Sequence, residues 1–374
     1  MSPARPAPVP VVVIGAGGMG RAWISTVLGS EAARLVGVAD VLDGAAARAV
    51  AEVVPAALRE SVATGTDGVE VARRAGAEAV IDVTIPAAHH AVTADALHAG
   101  YPVLGEKPCA ATLAEAVSLA GHAETTGTLF MISQSRRNNP HLHEARRLAE
   151  ELGGAGIVDT RFAKAPRFGG FRDEMAHPLL VDMAIHAFDA GRVLLAGLPV
   201  SVTATSYNPS WSWYAGDAAA TAVITYDSGA VHTYSGSWCS PGDETSWNGD
   251  WALSCERGTV RWDGESPPTA HLPGREPVLG RTPEADDRWE LDASLANFCA
   301  ALRGGPVPDT EVHANVWTQA IVEAAVRSAE TGSRVALAAL LDEALDQARA
   351  LDSADGRSTA LTTWKTGATG LVQG

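Results

Sequence analysis

The sequence predicts an α/β chain: a doubly wound parallel sheet at the N-terminus, then an α+β domain with a large open, mostly antiparallel sheet. Three observations carry that expectation. Apolar runs alternate with helix-spaced segments from Val9 to about Ile132. A glycine turn, Gly15-x-Gly17-x-x-Gly20, ends the first apolar run and opens the first helical segment. After about Ser133 the rhythm changes to adjacent stretches of period-two alternation rich in Thr, Val, Trp and Tyr.

In order, Val11 to Ile14 are four consecutive β-branched residues, the mark of a strand buried on both faces. Gly15 permits a tight turn, Gly17 removes the Cβ that would hold a phosphate off the backbone, and Gly20 lets helix and strand approach closely. With Gly18 and Met19 completing the turn, the helix N-terminus offers N–H groups to a pyrophosphate. A second run, Leu35–Ala39, ends at Asp40, where a carboxylate can accept from an adenosine ribose diol. Asp40 also repels a 2′-phosphate, and no Arg follows in Val41-Leu42-Asp43, so NAD is expected in preference to NADP. An Ala-rich helix spans 44–54, and Glu78–Val83 is a strand ending at Thr84-Ile85-Pro86. A helix from Ala88 to Ala99 stops at Gly100. The short strand 102–104 runs into Gly105-Glu106-Lys107-Pro108. Thr112-x-x-Glu115 is a capping box opening a helix to Thr125, and 128–132 is a further strand.

The second half begins with a helix (Pro140 to Glu151) and a long link to a helix over Leu179–Leu195. Strands follow at 200–207, 218–226, 230–238, 251–255 and 259–262, with Asp227-Ser228-Gly229 as a hairpin turn. Gly264 to Arg288 reads as a proline-rich surface loop. Helices over 289–303 and 311–331 and a strand over 334–337 come next. The expected domains are 1–133 and 134–352, with helix 311–331 returning toward the first, and 353–374 as a flexible or interface tail.

Composition sets the outer limits. A length of 374 residues suggests two domains, and 46% hydrophobic with 19% charged residues is ordinary globular material. A formal charge of −16 argues against nucleic acid or an anionic membrane as partner. Cys109, Cys239, Cys255 and Cys299 are widely separated, so no metal and no disulfide framework is expected. Neither a signal-peptide core at Met1 to Pro10 nor a membrane-length apolar run stands out, and a cytoplasmic location is expected.

Two clusters carry chemistry. Lys107, at a strand end beside Pro108, can be partly desolvated and donate to a substrate hydroxyl or carbonyl oxygen, with Glu106 orienting it or touching the nicotinamide ribose. Asp182, His186 and Asp189 fall on one helical stripe; histidine titrates near neutrality and suits the base that accepts an alcohol proton. Its alternative is a core histidine paired with Asp189. Arg136, Arg137, Asn138, Lys164 and Arg167 are candidate substrate contacts, or else solvated loop charges. Trp211, Trp213, Tyr214, Trp238, Trp247 and Trp251 can stack on sugar faces or fill a core or subunit interface.

Taken together, Gly15-x-Gly17-x-x-Gly20, Thr84-x-Pro86-x-x-x-His90, Glu106-Lys107-Pro108 and Asp182-x-x-x-His186 resemble the glucose–fructose oxidoreductase and inositol dehydrogenase (Gfo/Idh/MocA) family over roughly residues 9 to 340. Ala324-x-x-x-Ser328-x-x-x-Gly332 resembles its returning helix. The resemblance implies a Rossmann domain, a nicotinamide cofactor, and hydride transfer at a secondary alcohol or ketone of a sugar, cyclitol or related polyol. It implies Lys107, Asp182 and His186 as the catalytic group and Thr84, Pro86 and His90 near the cofactor. Ala176-His177-Pro178 stands where many members have glycines, which brings His177 forward as a substrate contact. Two other readings stay open: a tightly held NAD recycled during elimination or hydrolysis, and a regulator that senses NAD without turnover. A homodimer or homotetramer through the open sheet is expected, because an apolar face of that size needs cover.

Overall fold

Val9–Ile14 forms the first strand, β1, and all six residues are buried, as an unbroken apolar run requires of a central parallel strand. The computed structural model describes residues 7–284 and 288–373, and the expectations for 1–6, 285–287 and 374 lie outside them. The chain divides into two compact units. Unit 1 holds the chain through Ser135, Glu290–Val316 and the chain from Asp342; unit 2 holds Arg136–Trp289 and Trp317–Leu341.

Unit 1 alternates strictly: β1, α1 (Gly18–Gly29), β2 (Ala33–Ala39), α2 (Ala45–Val53), β3 (Ala63–Gly65), α3 (Gly68–Ala75), β4 (Ala79–Asp82), α4 (Pro86–His98), β5 (Val103–Glu106), α5 (Leu113–Thr126) and β6 (Phe130–Ser133). The strands pair in parallel in the order β3-β2-β1-β4-β5-β6. The order reverses between β1 and β4, and the crevice at the carboxyl ends of strands flanking such a switch point takes ligands. Trp23, Ile24 and Val27 of α1 pack with Val11, Val13 and Val38 into one core. The capping box is present: Thr112 Oγ1 accepts from Glu115 N, and Glu115 accepts from Thr112 N.

Unit 2 opens with α6 (Pro140–Glu151) and β7 (Ala155–Ala163), then α7 (Phe171–Glu174). A π-helical turn (Leu179–Ala184) leads into α8 (Ile185–Leu194). Strands β8 (Pro199–Tyr207), β9 (Ala219–Tyr226), β10 (Val231–Ser237), β11 (Asp250–Cys255), β12 (Gly258–Trp262), β13 (Thr269–His271), β14 (Val278–Leu279) and β15 (Val335–Ala336) complete it. They form a nine-stranded sheet, β14-β13-β12-β11-β7-β10-β9-β8-β15, antiparallel except for the central β7–β10 pair. β7 occupies part of what the sequence presents as a link, and β13 and β14 lie within the expected proline-rich loop.

Four helices finish the chain: α9 (Glu290–Leu302), α10 (Val312–Thr331), α11 (Leu337–Ala354) and α12 (Gly367–Gln373). The stretch after Asp352 is not a loose tail. Leu361 and Trp364 are buried, Trp364 Nε1 donates to Glu124 at 2.8 Å, and Ala360 N donates to Thr125 Oγ1 at 2.7 Å, both on α5. Among the described residues no helix is long and apolar enough to cross a membrane.

Candidate active site

The turn after β1 has the geometry its glycines suggest. Gly15 has φ +105°, and a Cβ on it would fall 2.5 Å from Val83 O; one on Gly20 would fall 2.0 Å from Gly15 O. At Gly17 nothing lies within 4 Å of where a Cβ would be, so that side of the backbone is open to a ligand. The first turn of α1 carries no acidic residue to oppose an anion. A cleft of about 660 Å³ begins there, lined among others by Gly15, Gly17, Asp40, Thr84 and Ile85.

Asp40 is part of the lining of this cleft. Its Oδ2 accepts from Ala16 N at 2.7 Å and its Oδ1 from Leu42 N at 2.9 Å, which ties the end of β2 to the glycine turn. Thr84 is held by Asp82, whose Oδ1 accepts from Thr84 N at 3.0 Å and Thr84 Oγ1 at 2.7 Å. Burial pushes the Asp82 carboxyl above its ordinary range, against the pull of His89 and these bonds. Open glycine backbone, a free helix start and a carboxylate at the second strand end fit a dinucleotide.

Of the two histidines of α4, His90 is the one expected near the cofactor, and His89 is the one that faces the strand-end loops. His90 turns away from the cleft, its Nε2 2.8 Å from Ser118 Oγ of α5. His89 points to the strand-end loops, its Nε2 3.0 Å from Thr84 O and its Nδ1 2.8 Å from Pro108 O. One residue turns the side chain by about 100° on a helix, so the two adjacent histidines meet different neighbours. Pro86 occupies the first turn of α4, where its missing N–H costs nothing.

At the end of β5, Glu106 is fixed from both sides. Its Oε1 accepts from Trp23 Nε1 at 2.8 Å, and its Oε2 from Lys107 N at 3.1 Å. Burial raises its carboxyl above the usual range. Lys107 follows, partly buried, at the same edge of the sheet as the glycine turn, and the Lys107–Pro108 peptide is cis.

In unit 2, Asp182 lies in the π-helical turn and His186 in the first turn of α8. Arg172 Nε donates to Asp182 Oδ2 at 2.6 Å. His186 lines a small cavity of about 20 Å³ with Arg136, Met183, Tyr234 and Trp247. Asp189 does not share this role: both oxygens are taken by Arg137, at 2.9 and 2.7 Å, and Thr318 Oγ1 adds a third bond at 2.8 Å. Arg137 is thereby removed from the substrate candidates. Of the others, Arg136 Nη1 donates to Trp247 O, and Lys164 pairs with Glu244 at 3.0 Å while lying over the Trp247 ring. Arg167 stacks on Trp213 with its charge 4.0 Å from the ring centre. His177 Nδ1 sits 3.1 Å from Ser206 Oγ on β8. Tyr214, Trp238 and Trp251 are core residues, whereas Trp211 and Trp247 are exposed.

A parallel sheet with this cradle at its switch point defines a dinucleotide-binding Rossmann fold. A family profile described as the NAD-binding Rossmann fold of an oxidoreductase family matches residues 9–134, and the GFO/IDH/MocA C-terminal domain matches 164–261. The chain belongs to the Gfo/Idh/MocA family. It is 30% identical over 354 residues to the uncharacterized protein y4oX of Sinorhizobium fredii, covering 87% of this chain and 94% of that one. Inositol 2-dehydrogenase 1 of Saccharopolyspora erythraea is 33% identical over 199 residues, 52% of this chain and 57% of the relative. Among solved structures, an Azotobacter vinelandii inositol dehydrogenase homolog complexed with NADH and myo-inositol superposes with a TM-score of 0.74 at 19% identity, over 88% of this chain and 98% of that one. An Agrobacterium radiobacter oxidoreductase with NAD+, L-tartaric acid and magnesium gives 0.78 at 18% identity, over 89% and 99%.

Proposed function

We propose that this chain is an NAD-dependent dehydrogenase that interconverts a secondary alcohol and a ketone on a sugar, cyclitol or related polyol. The observation that carries the reading is Lys107, an ammonium partly shielded from water at the same sheet edge as an NAD cradle. Relatives named as inositol and D-apiose dehydrogenases support the polyol class.

The bound dinucleotide supplies a nicotinamide carbon that takes or returns hydride. The chain's residues do the rest. Gly15, Gly17 and the start of α1 hold the pyrophosphate, and Asp40 accepts from the ribose diol while disfavouring a 2′-phosphate. Lys107 donates to the reacting oxygen and stabilises negative charge on it. In the oxidative direction His186 takes the hydroxyl proton, and Asp182, oriented by Arg172, accepts from a substrate hydroxyl. Arg136, Lys164, Arg167 and His177 are the proposed substrate contacts. A second copy covers the outer face of the nine-stranded sheet, where Ile157 and Val223 are exposed.

The test is a 340 nm absorbance screen of inositols, sugars and keto-sugars with NAD(H) and NADP(H). Turnover with NAD and a polyol is expected. Tighter binding of NADP(H) overturns the role of Asp40, and binding of NAD without turnover across the panel overturns the dehydrogenase reading.

A further inference from the structure

We propose that His90, His122 and Asp352 form a structural zinc site in unit 1, with the Ser118 hydroxyl as fourth donor. The residues come from α4, α5 and α11, all are buried, and one ligand atom from each lies within 4.8 Å of the others. Two imidazole nitrogens with oxygen donors are a set that Zn²⁺ accepts in tetrahedral geometry. Ser118 Oγ already sits between two of them, 2.8 Å from His90 Nε2 and 2.5 Å from Asp352 Oδ1.

The His122 imidazole points to an ion more directly. Its side chain is 1% exposed, and its Nε2 makes no well-formed hydrogen bond, facing only the Asp352 carboxylate at a long 3.5 Å. A buried ring nitrogen left this way is unusual, and coordination satisfies it. Its other nitrogen, Nδ1, is 2.9 Å from His98 Nε2. That outer contact fixes the ring orientation, as the partners of metal-bound histidines do. The second oxygen of Asp352 is likewise held, accepting from Thr359 Oγ1 at 2.5 Å.

Charge agrees with this assignment. Glu115 and Asp355 add negative potential at His90 beyond that of Asp352 itself, and Arg357, the nearby cation, is paired with Asp95 at 2.5 Å. At zinc bonds of about 2.0–2.2 Å tetrahedral donors lie about 3.4 Å apart, so the wider pairs would close, Ser118 Oγ would draw back from His90 and Asp352, and α11 and the segment around Thr359 would be clipped onto α4 and α5. The ion is structural and has no part in hydride transfer.

The experiment uses the full chain without a histidine tag, stripped by chelator and titrated with Co²⁺ and then Zn²⁺. One Co²⁺ per chain with visible tetrahedral absorption, displaced by Zn²⁺, is expected, and saturating Zn²⁺ should raise the melting temperature by about 3–6 °C. His122→Gln and Asp352→Asn should each abolish the absorption and the thermal gain. If either variant fails to fold, His90→Gln is read in its place. A wild-type chain that binds no Co²⁺ and shifts by less than about 1 °C overturns the site. So does metal binding that persists in the variants.

Discussion

Lys107 can be separated from the parts that hold the cofactor, because Glu106 anchors its backbone N–H, which any side chain there retains. Replacing Lys107 by Ala should therefore leave the NAD dissociation constant within about twofold while kcat falls by about 10²–10⁴; turnover near the wild-type rate would refute its role. His232 makes a second test at this scale, and it concerns stability. The ring is fully buried on β10, stacked on Trp251, with Nε2 2.9 Å from Thr160 Oγ1, and burial pushes it down to about 3. Below its ordinary 6.5 the unfolded chain takes up a proton that the folded chain refuses until near pH 3. This contribution to stability is thus complete above pH 6.5 and falls, by up to about 1.4 kcal/mol per unit, as pH drops toward 3. The melting temperature of His232→Gln should decline less than that of wild type between pH 7.5 and 5; an equal decline would show that other groups set the slope.

Among the elements, α8 is tied to Arg137 by a buried ion pair in addition to its apolar face. Arg137→Ala would strand the Asp189 carboxylate, which is 1% exposed, and should cost about 3–5 kcal/mol in urea unfolding. A loss below about 1 kcal/mol would mean that Arg192 and Thr318 compensate. That partnership was not legible in the sequence, since Arg137 and Asp189 lie 52 residues apart and helical spacing alone groups Asp189 with His186. The strands β1, β2, β4, β5 and β6 were legible because each is an apolar run bounded by glycine or a helix signal. β7 was not: its inner face, Val158, Thr160 and Phe162, is interrupted by a polar residue, and Asp159 and Arg161 between them look like a loop. α3 and β3 are too short and too exposed to announce themselves. By contrast, Leu337, Leu340, Leu341, Ala344, Leu345 and Ala348 form a full helical stripe in α11. The expected strand ends at Leu337 and the expected tail begins at Ser353, so the stretch between them carries no expected element although its signal is there. At the site, residue types and strand ends mark the glycine turn and Lys107, but the pattern names His90 and passes over His89, which faces the strand-end loops.

For the whole molecule, the segment beyond Asp352 is the least expected structural part. Arg349 donates to the carbonyls of Leu361 and Trp364, and Trp364 reaches Glu124, so α5 and α11 are joined through it. A chain ending at Arg357 should melt about 5 °C or more below the full chain, since burial of Leu361, Trp364 and Leu371 is lost. Unchanged melting would show that the segment adds nothing to unit 1. The interleaving of the two units along the chain also orders events during synthesis. Both segments of unit 2 are finished by Leu341, whereas unit 1 starts first and needs residues from Asp342 onward. On the ribosome, therefore, the half that emerges second has all its residues earlier, and the nucleotide-binding half closes last.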